Sequence, residues 1–345
     1  MQNEITKPSN LLFENGELIQ KGWARKLILD YNPEDIDAGS LRIKEWDYYA
    51  VLNQKEGYGI TFTVADLGFA GLIAVVWLDF RKRIFIPDEV MPLFTRGRFN
   101  LPKSSMKGDI ELDEKGVSLE FLKKSDTRIL KFDFPEFNDG EGIKADLRLK
   151  QDPNMDTMVI ATPWKKKPTR FYYNQKINCM PSKGTVQKGN DTFKFNGDDD
   201  LSYGVLDWGR GVWTRKNRWY WGSASSKFED GPRFGWNLGY GFSDRSYASE
   251  NLIFYDGIGH KLDEVTFHYD VNDYMKSWKI TSNDGRFEMM MEPVIDRNSK
   301  TNLLLIKSVQ HQVFGYFSGF FILDDGRKIN VENVLGFAED VYNKW

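Results

Sequence analysis

Apolar and polar residues alternate along most of the chain, with the two-residue period of a strand that has one buried face. Residues 110–112 and 117–121 flank a short segment whose Gly116 can adopt the positive φ that a tight turn requires. The same alternation recurs at residues 129–134, 145–149, 158–161, 251–255, 265–269, 277–281 and 287–291. Turns rich in Gly, Asp and Asn follow at intervals of roughly ten residues, which leaves little room for long helices. The pattern predicts an all-β protein of antiparallel strands, in barrels or sandwiches, with few short helices.

A weak internal repeat indicates that the chain holds two versions of one unit. Gly184 is followed by Asp207 after 23 residues, and Gly319 is followed by Glu339 after 20 residues. In both copies a short alternating segment lies in between, and an aromatic residue lies near the acid. At 345 residues the chain also exceeds the usual size of one core. We therefore predict two tightly packed units with a boundary near residue 200 and no flexible linker.

The overall charge narrows the choice of partners. The chain carries 47 basic and 50 acidic residues, so a nucleic acid would find no global electrostatic attraction. The longest apolar run, residues 67–78, has 12 residues and is too short to cross a bilayer. The N-terminal residues lack the regions of a secretion signal, and Cys179 is the only cysteine. We expect a cytoplasmic protein with no nucleic-acid partner and no stable membrane insertion; the composition indicates no particular oligomeric state.

Residues 204–222 hold four tryptophans, one aspartate and three arginines, a density that no other part of the chain approaches. Indole rings present large apolar faces, and a cluster of them suits a pocket for a flat, apolar or sugar-like ligand. Asp207 lies among these rings, where loss of solvation would raise its carboxyl pKa and keep it ready as a general acid. Trp219 and Trp221 are two residues apart and should point to the same face of their strand. The alternative is that the tryptophans belong to the core and that Asp207 accepts hydrogen bonds from turn amides.

Other candidates for chemistry lie outside this segment. His260, His268 and His311 lack the spacing of metal ligands, so we expect no metal. His311 is either an acid or base that reaches the tryptophan pocket or an ordinary, partly buried polar residue. Asp66 is either a second carboxylate that faces the site or the cap of an Asx turn. The chain has no Gly-x-Ser-x-Gly elbow and no phosphate-binding loop, so we expect no cofactor and no serine-hydrolase chemistry.

Several longer motifs carry a resemblance to a known family. They lie at residues 46–51, 63–69, 207–213, 219–222, 284–286, 311–315 and 336–345. Through them nearly the whole chain resembles a bacterial family catalogued as domain of unknown function 2804. That family is distantly similar to the tandem lipocalin-like proteins that include AttH and the carotenoid hydratase hydroxyneurosporene synthase. The resemblance implies two lipocalin-like β-barrels packed side by side, residues 1–200 and 201–345, with a pocket in a barrel mouth or between the barrels.

Three functions fit these observations. The first is a cofactor-independent hydratase, isomerase or cyclase for a hydrophobic, isoprenoid- or lipid-like small molecule, in which Asp207 protonates the substrate and Arg210 orients Asp207 or binds a polar end. The second is a non-catalytic carrier of such a ligand, and the third is a carbohydrate-active protein in which indole faces stack on sugar rings. The candidate ligand-binding residues are Trp208, Trp213, Trp219, Trp221, Trp236 and Tyr240. Asp66 and Glu339 are candidates for a second carboxylate or for a supporting role.

Overall fold

The computed structural model describes residues 2–303 and 306–344. Strands make up 62% of the structure and helices 4%, which confirms the predicted all-β fold with few short helices. The strands are β1 (Ser9–Asn10), β2 (Gly22–Ala24), β3 (Leu29–Asp30), β4 (Ile43–Asn53), β5 (Tyr58–Asp66), β6 (Gly71–Asp79), β7 (Ile84–Val90), β8 (Ile110–Glu114), β9 (Val117–Lys124), β10 (Thr127–Phe134), β11 (Ile143–Lys150), β12 (Met158–Trp164), β13 (Lys167–Lys188), β14 (Asp191–Asn196), β15 (Ser202–Val212), β16 (Lys216–Lys227), β17 (Arg233–Tyr240), β18 (Leu252–Tyr255), β19 (Ile258–Lys261), β20 (Val265–His268), β21 (Trp278–Ser282), β22 (Phe287–Leu303), β23 (Ile306–Ile322) and β24 (Lys328–Lys344).

The helical segments are single turns. They lie at Pro33–Asp35, Ser40–Arg42, Phe137–Gly140 and Gly197–Asp199. In the part of the chain that the structure describes, no helix is long and apolar enough to cross a membrane.

Two large antiparallel sheets hold nearly all the strands. The first has 13 strands, with the central order β7-β6-β5-β4-β15-β13-β11-β10-β9-β8 and with β2, β12 and β14 paired beside that path. The second has nine strands, in the order β19-β18-β17-β16-β24-β23-β22-β21-β20. The sheets curve into one nearly closed barrel and one half-barrel. Each sheet therefore has a concave face around its own core and a second face that can pack against the other sheet.

The strand β13 connects the two halves of the first sheet. It is 22 residues long and pairs with β12 and β15 through its first part and with β11 and β14 through its last part. Its register against β15 shifts between Ile177 and Met180, where Cys179 adopts a left-handed φ of 57°. A bulge of this kind bends a strand and increases its twist. One continuous strand thereby follows the curvature of the barrel, and at the bulge it contacts the second sheet, where the Asn178 amide donates to Ser223 Oγ at 2.8 Å.

The chain passes from the first sheet to the second after β15. This strand follows residue 200, yet it lies in the first sheet between β13 and β4, and the second sheet begins at β16. The division into units of residues 1–200 and 201–345 stays a prediction about folding units. Along the chain, residues 213–215 connect the last strand of the first sheet to the first strand of the second sheet.

A separate apolar core joins the two sheets. Phe80 of the first sheet packs on Phe314 of the second at a ring distance of 5.8 Å, and Phe314 packs on Phe337 at 5.5 Å. Residues such as Ala50 and Leu78 are buried in the same cluster, because one face of each strand points away from its own barrel core. A few polar bonds add direction, since the Gln54 amide donates to the Asn333 carbonyl and accepts from the Leu335 N–H, both at 3.0 Å. The two sheets are held as one packed body along this core.

We predict that Phe314→Ala lowers the free energy of unfolding by about 3–5 kcal/mol, because it leaves a cavity in a fully buried contact between the sheets. Urea unfolding followed by circular dichroism measures the change. Phe13→Ala is the matched control, since Phe13 is 52% exposed and its loss should change stability by less than about 0.5 kcal/mol. A loss below about 1 kcal/mol for Phe314→Ala would mean that the inter-sheet core contributes little to the fold.

Candidate active site

A cavity of about 540 Å³ lies between the two sheets, next to their shared core. Tyr48 and Trp221 belong both to the inter-sheet core and to the cavity wall, so the inner end of the cavity adjoins that core. At the outer end, the wall includes the exposed residues Glu89, Asn298 and Ser299. The cavity therefore opens to solvent where β7 and β22 face each other. Its volume falls within the range of small-molecule sites.

Aromatic side chains form much of the wall. Trp213 lies at their centre, with ring distances of 5.5 Å to Trp46, 5.5 Å to Trp219 and 5.1 Å to Phe242. Along β16, Trp219 and Trp221 both line the cavity. Tyr220 lies between them on the opposite face and stacks on Tyr240 of β17 at 4.5 Å. Trp213 meets Trp46 and Trp219 edge to face and stacks on Phe242, so these contacts hold the rings in defined orientations.

Two glycines make room for groups in this wall. A Cβ atom at Gly209 would lie 2.0 Å from the Trp46 ring, so the indole can cross β15 only where that strand has no side chain. A Cβ atom at Gly239 would lie 2.4 Å from a carboxylate oxygen of Glu250. The glycines of the Trp-Gly sequence at 208–209 and of the Gly-Tyr-Gly sequence at 239–241 thus have a packing role. Gly209 lets the Trp46 ring lie against the backbone of β15, and Gly239 lets the Glu250 carboxylate lie against the backbone of β17.

A buried ion pair lies at the inner end. Lys176 Nζ contacts Asp207 Oδ2 at 2.6 Å, and the Asn174 amide donates to Asp207 Oδ1 at 2.6 Å. The ammonium also lies 4.0 Å from the centre of the Trp221 ring. Lys176 and Asp207 face each other across the β13–β15 pairing, and both are at least nine-tenths buried. Asp207 is therefore held as the anionic partner of a lysine.

Two further buried carboxyls surround the ion pair. Burial raises the pKa of Glu339 to about 7, against the opposing effects of Lys176 and Arg297, and Asp207 raises it further. Burial likewise raises the pKa of Glu250, again opposed by Lys176 and reinforced by Asp207. Both carboxyls line the cavity. Asp207 already pairs with the Lys176 ammonium, so Glu250 and Glu339 have no full countercharge of their own and are costly to ionise. They therefore hold protons near neutral pH more readily than exposed acids do.

Hydrogen bonds orient these carboxyls. The Gln312 amide donates to Glu339 Oε1 at 2.6 Å and to the Tyr48 hydroxyl at 2.9 Å. Gln312 in turn accepts from Arg297 at 2.8 Å. The Trp219 side chain also hydrogen-bonds Glu339. A positioned, buried carboxyl that can carry a proton in an aromatic cavity has the properties of a general acid.

The structure brings some of the sequence candidates together and separates others. Asp207, Trp213, Trp219, Trp221 and Glu339 line the one cavity. Trp208 instead packs in the core of the first sheet, 5.5 Å from Tyr173 and 4.4 Å from the Arg210 guanidinium. Trp236 packs in the core of the second sheet against Phe287 and Phe317.

The remaining candidates also make contacts away from the cavity. Arg210 donates to Asp47 at 3.0 Å. His311 lies 2.9 Å from Asp296 and stacks on Tyr274. The Tyr240 hydroxyl accepts from the Phe267 N–H at 3.0 Å. Asp66 accepts from the Gly68 N–H at 2.9 Å and so caps an Asx turn.

Sequence reasoning missed Lys176, Glu250, Trp46 and Tyr172, all of which line the cavity. A signal for Lys176 was present, because the polar run 174–176 interrupts the apolar and aromatic residues 171–173 and 177. Glu250 carries no such signal, since it lies in a loop between β17 and β18. No group of three or more His, Cys, Asp or Glu residues that could hold a metal ion is found in the described ranges.

Comparison with solved structures shows the fold. A protein of Nitrosomonas europaea assigned provisionally to AttH is similar with a TM-score of 0.54 and 13% identity, over 90% of this chain and 94% of that one. CghA in complex with Sch210972 has a TM-score of 0.48 at 9% identity, with 88% of each chain covered. Kievitone hydratase of Nectria haematococca has a TM-score of 0.46 at 9% identity, with 100% of this chain and 97% of that chain covered. The first likeness shows a shared fold, whereas the two lower TM-scores are below the level that establishes one.

No curated protein matches the chain significantly. The family model described as "Domain of unknown function (DUF2804)" matches residues 2–345, which confirms the resemblance seen in the sequence motifs. The chain belongs to the DUF2804 family.

Proposed function

We propose that this protein is a cofactor-independent hydratase that adds water to a carbon–carbon double bond of a hydrophobic, isoprenoid- or lipid-like small molecule. The observation that carries the proposal is Glu339, a fully buried carboxyl with a pKa raised to about 7 in an aromatic cavity. A general acid works best when its pKa lies near the working pH. An alkene has no polar group to bind, so its protonation needs an acid that is already positioned and desolvated.

In the proposed reaction Glu339 gives its proton to one alkene carbon, and the π electron pair forms the new C–H bond. Positive charge develops on the other alkene carbon, where the π face of Trp219 stabilises it. A water molecule then adds to that carbon, and its surplus proton passes to the Glu250 carboxylate. The product is the alcohol, and proton transfer from Glu250 to Glu339 through water restores the starting state.

Asp207 has a different role in this proposal from the one that its sequence position suggests. Its carboxylate is bound by Lys176 and Asn174, so we propose that it fixes the lysine and does not donate the proton. The fixed ammonium moderates the pKa of both Glu250 and Glu339. Arg210 is held by Asp47 away from the cavity, whereas Arg297 lines the wall and donates to Gln312, the partner of Glu339. Arg297 is therefore our candidate for binding a polar end of the substrate.

A carrier without catalysis is the second candidate, favoured by the extent of the aromatic wall around Trp213. The two functions differ in their dependence on Glu339. A carrier binds its ligand equally well after Glu339→Gln and releases it unchanged. Native mass spectrometry of the purified protein would identify the class of any ligand that either function retains.

We predict that Glu339→Gln lowers kcat by about 10²–10⁴-fold, the usual contribution of a general acid, while ligand binding stays within a few-fold. The assay follows incorporation of label from oxygen-18 water into alcohols formed from a panel of isoprenoid alkenes and any co-purified ligand. Glu332→Gln is the matched control, because Glu332 is an exposed glutamate of the same strand. Unchanged turnover in Glu339→Gln would remove this residue from the mechanism, and a wild-type protein that binds an alkene without labelling it would favour the carrier.

The pH profile tests the same assignment. Because the acid must be protonated, we expect kcat to fall as the pH rises through about 7, the pKa of Glu339. Glu250 must be ionised to accept a proton, so activity should also fall at low pH, with a midpoint above the ordinary 4.5 of a glutamate. A rate that keeps rising through pH 8 would contradict a carboxylic acid as the proton donor.

Stability offers a test that needs no substrate. The folded pKa of Glu339 lies above its ordinary value of 4.5, so the folded state binds the proton more tightly and stability falls as the pH rises from about 4.5 to about 7. Glu339→Gln removes this penalty. We expect the difference in the free energy of unfolding, variant minus wild type, to increase by about 3 kcal/mol as the pH rises from 4 to 8. Urea unfolding at each pH measures this difference. Glu332→Gln should show no such pH-dependent gain, and a flat difference for Glu339→Gln would place its pKa near the ordinary value.

A further inference from the structure

Four large apolar side chains stand exposed beside the outer end of the cavity. Leu93 is 68% exposed, Phe94 is 63%, Met91 is 46% and Leu41 is 43%. Soluble proteins commonly expose single apolar residues, but a group of them on adjoining loops marks an interaction surface. We call Leu41, Met91, Leu93 and Phe94 the rim patch.

Backbone contacts place the rim patch against the cavity wall. The Phe94 N–H donates to the Phe69 carbonyl and the Gly71 N–H to the Pro92 carbonyl, both at 2.8 Å. These bonds join the loop after β7 to the turn between β5 and β6, and Leu67 and Leu72 at the two ends of that turn line the cavity. Leu41 packs on the same turn, because a Cβ atom at Gly68 would lie 2.7 Å from the Leu41 Cα. The rim patch thus adjoins the part of the cavity wall that Leu67 and Leu72 form.

The loop is fixed in this exposed form. The Asp66 carboxylate accepts hydrogen bonds from Thr95 Oγ1 at 2.8 Å and from the Gly97 N–H at 3.0 Å. Thr95 and Phe99 are buried and anchor the loop from below. Phe94 itself adopts a left-handed φ of 55°, which a non-glycine residue takes only where its surroundings impose it. The backbone of this loop therefore fixes the exposure of Leu93 and Phe94.

Basic groups border the patch. The Arg96 guanidinium lies 5.9 Å from the Phe94 ring centre, and Lys115 donates to the Met91 carbonyl at 3.3 Å. Arg42 follows Leu41 directly, and Arg98 pairs with Glu114. Exposed apolar residues ringed by Arg and Lys are the arrangement that binds the surface of an anionic bilayer, with the apolar groups at the level of the acyl chains. Glu89, also on this rim, opposes that attraction, so the apolar contacts must supply most of the binding.

We propose that the rim patch docks the protein on a lipid bilayer, so that an apolar ligand passes between the membrane and the cavity without crossing water. The contact is peripheral, with Leu93 and Phe94 entering the interface and the strands staying outside it. A membrane is the occupant that fits best, because basic groups border the patch and the patch adjoins a largely aromatic cavity whose proposed ligand would partition into lipid. The proposal goes beyond the proposed reaction and holds for a hydratase or a carrier.

Vesicle flotation of the full chain, without substrate, tests the proposal. The probes are phosphatidylcholine vesicles and vesicles of phosphatidylcholine with phosphatidylglycerol. We expect the wild type to float with both, more strongly with the anionic vesicles, and Leu93→Ser with Phe94→Ser to weaken the partition coefficient at least about tenfold. Arg96→Gln should weaken binding to the anionic vesicles alone. Phe13→Ser with Ile258→Ser is the matched control, since both residues are more than half exposed and lie outside the rim patch.

Three results would overturn the proposal. One is a wild type that floats with neither kind of vesicle, and another is equal loss in the control pair. The third is a wild-type dimer that becomes a monomer in the Leu93→Ser, Phe94→Ser variant, measured by light scattering, which would assign the patch to a second copy of the chain. Circular dichroism and the thermal midpoint show whether each variant is folded, and Leu93→Gln alone serves if the double variant is not. Failure here leaves the reaction of Glu339 untouched, because flotation involves no chemistry.

Discussion

The ion pair between Lys176 and Asp207 is the interaction on which the chemistry of the cavity depends. A lysine ammonium without a partner would be too costly to bury, and Asp207 at 2.6 Å makes its burial possible. The same pairing leaves Glu250 and Glu339 without a full countercharge, in a place that water reaches poorly. The raised pKa of Glu339, about 7, therefore follows from the balance of charges around it as well as from burial. Removing the lysine would make both glutamates harder to ionise, and removing Asp207 would free the ammonium to pair with one of them.

Much of the fold could be predicted from the sequence, because strand alternation and turn residues are local signals. The segments at 110–112 and 117–121 do form a hairpin, in β8 and β9, and the chain is nearly all strand. Trp219 and Trp221 share a face because they are two residues apart. The same rule separates Trp208 from Asp207: neighbouring residues in a strand point to opposite faces, so one lines the cavity and the other enters the barrel core. Arg210 and His311 also lie on the strand faces that point away from the cavity, because side chains alternate along β15 and β23.

The rest of the site depends on pairings that no local pattern contains. Lys176 meets Asp207 because β13 and β15 pair in one particular register, and a shift of one residue would place the two side chains on opposite faces of the sheet. Glu339 meets them only because the second sheet packs against the first. The bulge in β13 adds a further step, since it changes the face that the strand presents beyond Ile177. These contacts form only in the assembled fold, so the composition and the spacing of residues cannot predict them.

The contact between Gly209 and the Trp46 ring links two positions that are 163 residues apart in the chain. A methyl group at position 209 would overlap the indole, so a side chain there requires that the Trp46 ring move or be replaced by a smaller residue. The residues at these two positions are therefore coupled. A family member with a small residue at the position of Trp46 is free to fill position 209, and the two arrangements would give pockets of different width. We therefore expect the residues at positions 46 and 209 of a relative to correlate with the shape of the ligand that it accepts.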